Sequence, residues 1–75
     1  MLAGMGNDDL PAYEQVKAWI RHHIAAGAWK PGDPVPSETA LIAQFGVSRM
    51  TVNRALRELA AEGLVTRVRG SGTRV

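Results

Sequence analysis

Residues 37–62 read SETALIAQFGVSRMTVNRALRELAAE, and this stretch decides the fold. Ser37 stands where a helix N-cap is expected, with Glu38 in the first turn, where the helix dipole favours an anion. Leu41 and Phe45 form an apolar pair four residues apart, and Ala40 is small enough for close approach. Gly46 can adopt the turn conformation that other residues resist. Only Val47 separates it from Ser48, a second N-cap. Val52, Ala55, Leu56 and Leu59 then make one aliphatic stripe, and Gly63 closes the segment. The pattern is that of two capped helices joined by a tight turn.

The outer faces of the second helix carry Arg49, Met50, Thr51, Asn53, Arg54 and Arg57. Arg49, Asn53 and Arg57 recur every four residues and so run along one side. A recognition helix enters the major groove with its N-terminal residues toward base edges, which favours Arg49 and Asn53. Arginine can fork onto guanine and asparagine onto adenine. Ser48 and Thr51 can donate to phosphate.

Upstream, Tyr13, Val16, Ile20 and Ile24 recur at helical spacing, with Trp19 widening the stripe. They predict a first helix over about residues 11–26, with Pro11 in the opening turn and Gly27 as the stop. Three prolines and a glycine within residues 30–36 exclude a helix there and allow at most a very short strand around Val35. Downstream, residues 64–68 read as a strand, 69–72 as a turn with two glycines, and 73–75 as a return strand. Arg69, Gly70 and Ser71 form the tip, where glycine permits close approach to a groove or to phosphates. Arg67 and Arg74 flank it. The fold class is therefore mainly α with a small β-hairpin. The architecture is a winged helix-turn-helix of three helices plus a wing, covering residues 11–75. Residues 1–10 read as a disordered tail.

Charge supports this division. Residues 1–48 hold three basic and five acidic side chains, a net of −2; residues 49–75 hold six basic and two acidic, a net of +4. All six basic residues of the second half are arginine, whose planar fork suits phosphates and guanine edges. There is no cysteine, so disulfides and thiolate metal sites are excluded. His22 and His23 are adjacent, lack partners at ligand spacing, and are expected at the boundary of core and solvent. Trp19 and Trp29 read as core packing. Ser71 between glycines lacks the strand-to-helix setting of a nucleophile elbow, and no P-loop or dinucleotide fingerprint is present. No catalytic residue, cofactor or metal is expected. The absence of a signal peptide and of a long apolar run points to a cytoplasmic, nucleoid-associated protein and no membrane partner.

The run PGDPVPSETALIAQFGVSRMTVNRALRELAAEGLVTRVRGSGTRV, residues 31–75, resembles the N-terminal DNA-binding domain of GntR-family bacterial transcription regulators. The likeness extends from about Tyr13 to Val75. It is most specific in Pro-Gly-Asp with Pro-Ser-Glu, Gly-Val-Ser-Arg-Met-Thr-Val, Glu-Gly-Leu and Gly-Ser-Gly-Thr. Residues 48–64 are most similar to the HutC branch, which implies a repressor of histidine utilisation binding double-stranded DNA at a palindromic operator. The resemblance further implies a homodimeric full-length regulator, this domain being a monomer by itself. A C-terminal domain outside this chain would bind a small-molecule effector, with urocanate as the candidate. Carried over by position, Arg49 is the recognition-helix arginine, Ser48 and Thr51 are phosphate-contacting hydroxyls, and Gly70 is the wing-tip glycine. Thr39 and Asn53 stand where many relatives have arginine, which implies a weaker contact from the second helix and a different base preference. Regulation of sugar or amine metabolism stays open, as does a winged helix used for protein–protein contact.

Overall fold

The computed structural model describes residues 10–68 and 72–75. Residues 1–9 of the expected tail and the tip residues Arg69, Gly70 and Ser71 lie outside them.

Helix α1 spans Ala12–Ala25, α2 Glu38–Phe45 and α3 Arg49–Ala61. Strands β1 (Thr66–Val68) and β2 (Gly72–Arg74) form an antiparallel hairpin, with Arg67 opposite Thr73. This is the winged helix-turn-helix order read from the sequence. Pro11 precedes α1 as its N-cap residue rather than opening its first turn.

The caps act as their residue types require. Ser37 Oγ accepts from the Ala40 amide at 3.1 Å, and Ser48 Oγ accepts from the Thr51 amide at 3.2 Å. Gly46 ends α2 at φ 66°, a left-handed conformation that costs a side-chain-bearing residue. Two residues after it, Ser48 already caps α3, so the turn between the helices is fixed from both sides.

At the end of α3, the Gly63 amide donates to Ala60 O at 3.0 Å and the Leu64 amide to Leu59 O at 3.1 Å. This paired bonding satisfies carbonyls the helix leaves open. It also makes β1 start later than the apolar run suggests, because Leu64 is still closing the helix.

One apolar core joins the three helices to Val35 of the proline-rich segment and Val65 at the foot of the hairpin. Val16 and Ile20 of α1, Leu41 of α2, and Val52, Ala55, Leu56 and Leu59 of α3 are fully buried, with Val35 and Val65 nearly so. Each large aliphatic side chain here contributes roughly 1.5–3 kcal/mol by leaving water. Phe45 is half-buried against this core, whereas Ala40 faces solvent, so close packing of α2 does not run through Ala40. Trp19 and Trp29 also pack on the core, their rings meeting edge to face at 5.5 Å. His23 lies against both of them, half-buried, while His22 is exposed. The His23 Nδ1–H donates to Trp19 O at 2.9 Å, since a carbonyl can only accept.

The proline-rich segment lies along β2. The Val35 amide donates to Thr73 O at 2.8 Å, the Val75 amide to Asp33 O and the Gly32 amide to Val75 O, both at 2.9 Å. Pro34 pairs with Arg74 in a single antiparallel bridge. Proline has no N–H, so the ladder cannot extend as a regular strand. These bonds fasten the base of the wing to the helical core.

Candidate nucleic-acid interface

The N-terminal half of α3 presents the expected site residues at its surface. Ser48, Arg49, Met50 and Arg54 are exposed, and Thr51 and Asn53 are half-buried. Arg49 leaves 68% of its side chain in solvent, and Met50 is 82% exposed, although burying a large apolar side chain would be favourable. Thr39 is exposed in the first turn of α2. Ser48 and Thr51 join their hydroxyls at 3.0 Å beside the open end of the helix. Arg57 is exposed farther along α3. Arg69, Gly70 and Ser71, the wing residues of the sequence reading, lie outside the described residues.

Several of these groups are already engaged by their own chain. Arg49 Nη1 donates to Glu38 Oε1 at 3.2 Å. Arg67 Nη2 donates to Glu38 Oε2 at 2.6 Å and to Asn53 Oδ1 at 3.1 Å. Asn53 Nδ2 in turn donates to Arg49 O at 3.0 Å. Glu38 of α2 thus connects α3 to β1 through two arginines. Both ends of the Asn53 amide are engaged once, which fixes its orientation and leaves one Nδ2 hydrogen and one Oδ1 lone pair for a further partner. Sequence pattern did not reveal this cluster. Glu38 precedes Arg49 by eleven residues and Arg67 by twenty-nine, and no helical or strand period links such positions.

Arg54 also differs from a free phosphate ligand. Its guanidinium lies 3.7 Å above the Tyr13 ring, and its Nε donates to Glu58 Oε2 at 3.0 Å. The bond to Glu58 raises the Arg54 pKa, so the group stays charged throughout. A shallow groove of about 280 Å³ between α1 and α3 is lined by Tyr13, Met50, Thr51, Arg54 and Arg57. On the wing, Arg74 Nη1 donates to Gly32 O at 3.1 Å, fastening the hairpin to the proline-rich segment. Arg67 and Arg74, which flank the wing tip in sequence, are therefore not free guanidinium groups. Both have intramolecular partners.

A basic helix end with free amides and hydroxyls, beside an arginine-bearing hairpin, suits an anionic duplex. Comparison with known proteins agrees. Residues 12–75 match the bacterial regulatory proteins of the gntR family. The histidine utilization repressor of Klebsiella aerogenes is 59% identical over 63 residues, which cover 84% of this chain and 26% of that protein. The histidine utilization repressor of Pseudomonas putida is 49% identical over 73 residues, covering 97% of this chain and 29% of the repressor. Among solved structures, the AraR DNA-binding domain in complex with operator ORX1 superimposes with a TM-score of 0.87 at 39% identity. That match covers 100% of this chain and 90% of the AraR chain. The chain thus spans less than a third of the two repressors it resembles.

Proposed function

This chain belongs to the gntR family of bacterial regulatory proteins, and we propose that it binds duplex operator DNA as the DNA-binding part of a repressor of histidine utilisation. The observation that carries this reading is the open N-terminal end of α3. Arg49 and Met50 project there into solvent beside capped but otherwise free helix amides.

In this reading α3 enters the major groove. Arg49 forks onto guanine O6 and N7, a contact worth ~1–3 kcal/mol of base discrimination. Met50 offers an apolar surface suited to a thymine methyl. Ser48, Thr51 and Thr39 meet phosphates, which fix register without reading sequence. Arg69, Gly70 and Ser71 of the wing take the adjacent backbone or minor groove. The identity to histidine utilization repressors favours histidine catabolism over sugar or amine metabolism. The protein acts in the cytoplasm, where its DNA lies. The full-length regulator is a homodimer on a palindromic operator, with a separate domain binding an effector such as urocanate, while residues 11–75 form the DNA-binding unit.

The test is footprinting of the chain on the control region of histidine-utilisation genes. A protected site with two-fold symmetry is expected. Equal affinity for that region and for random duplex would overturn the assignment. Across a salt series, log affinity should fall with log salt by several units, at about 0.9 per phosphate neutralised.

A further inference from the structure

Glu38 is unusual in its position. It is an acid at the centre of a surface read as DNA-facing, where a like charge repels phosphate. It is not spent on the core, since 27% of its side chain is exposed. Both carboxylate oxygens are committed, one to Arg49 at 3.2 Å and one to Arg67 at 2.6 Å. The three side chains come from three different elements, so helix periodicity alone does not produce the cluster.

We propose that Glu38 is a specificity-determining residue, its carboxylate masking Arg49 and Arg67 from phosphates while leaving Arg49 donors open to a guanine edge. The proposal rests on the reading that α3 docks on DNA. Its physical basis is a difference of affinities. With Glu38 the cluster carries a net charge of +1, and without it +2, so the carboxylate weakens attraction to any duplex. Arginine has five N–H donors, and the ion pair to Glu38 occupies one of those on Arg49. The rest remain available for bidentate readout, with the guanidinium held in one orientation rather than free to follow a phosphate. A repulsive element that lowers wrong binding more than right binding raises specificity. The Glu38–Arg67–Asn53 contacts extend the same restraint to the wing and to the second base-reading side chain.

The experiment compares the unmodified chain with Glu38→Gln, Glu38→Ala and Glu38→Asp. One probe is a random-sequence duplex. The other is a duplex that the unmodified chain selects from a random pool. Removing the charge should tighten random-duplex binding roughly 3–10-fold at low salt and steepen the log–log salt slope by about one unit. The preference for the selected duplex should fall correspondingly. Glu38→Asp keeps the charge and should retain random-duplex binding close to that of the unmodified chain. If Glu38→Gln and Glu38→Ala bind random duplex no more tightly, while the unmodified chain still prefers its selected duplex, the masking role is wrong and the DNA-binding reading stands. If the unmodified chain selects no sequence and no variant binds duplex, both fall. Loss of the cooperative thermal transition in both charge-removing variants would make Glu38 a fold-holding residue and overturn the proposal.

Discussion

Lys17 places its ammonium 2.8 Å from Glu58 Oε1 and 3.0 Å from Glu62 Oε2, with only 6% of its side chain exposed. The triad pins α1 to the C-terminal half of α3. Arg21 adds a bond to both oxygens of Glu62 at 2.7 Å, and Arg54 holds Glu58 at 3.0 Å. Each carboxylate therefore has two cationic partners. Tilting α3 relative to α1 would strain this network, so the junction helps to fix the angle at which the recognition helix is presented.

Replacing Lys17 by methionine should leave stability within about 1–2 kcal/mol of the original, or raise it. Desolvating an ammonium opposes much of the ion-pair attraction, and an apolar side chain of similar length removes that opposition. Arg54 and Arg21 still neutralise the two carboxylates. Chemical denaturation would check this; a loss of more than about 3 kcal/mol would mean that the ion pairs outweigh the desolvation.

Stability should be flat in the neutral range and fall on both sides. The bond from Lys17, then that from Arg54, holds the Glu58 carboxyl below its ordinary value of 4.5, and Arg21, then Lys17, does the same for Glu62. Groups with depressed values contribute stability above 4.5, which is lost as pH falls through their folded values. The bond to Glu58 raises Lys17 above its ordinary 10.5, burial opposing it. That contribution is complete below 10.5 and is lost as pH rises through the folded value. Urea midpoints across pH should show both limbs, and Lys17→Met should weaken the alkaline one. An unchanged alkaline limb in that variant would contradict the assignment.

Gly46→Ala should destabilise the domain by about 1–2 kcal/mol, the cost of a left-handed conformation for an L-residue. No atom lies within 4 Å of where the new Cβ would stand, so the penalty is conformational and not a clash. Gly46→Asn should cost less, since asparagine tolerates this region better. Thermal melts of both variants decide it; equal penalties would point to packing instead.

Arg49→Ala should lower affinity for operator and relax preference at one symmetric pair of base positions. Arg69→Ala should instead weaken operator and random duplex about equally and reduce the salt slope by roughly one unit. Binding is measured on operator, on operator changed at each position, and on random duplex. If Arg49→Ala weakens all three alike, Arg49 is a phosphate anchor and not a base reader.

The helices, their caps and the inner stripe of α3 are local matters, and local chemistry determined them. Ser37 and Ser48 cap because a hydroxyl reaches its own helix amides three residues on, and Gly46 turns because it lacks a Cβ. Val52, Ala55, Leu56 and Leu59 are buried because their spacing places them on one face. The burial of Lys17 was not legible in this way, because it depends on Glu58 and Glu62, forty-one and forty-five positions away. Nor was the engagement of Arg49, Asn53 and Arg67 around Glu38. An exposed-looking arginine in a sequence carries no record of which carboxylate the fold will bring beside it. The sequence by itself thus determined which segments are helical and which side chains α3 offers. Only the tertiary structure decided which of those side chains are already paired, because long-range ion pairs form only after the core has fixed the distances between elements.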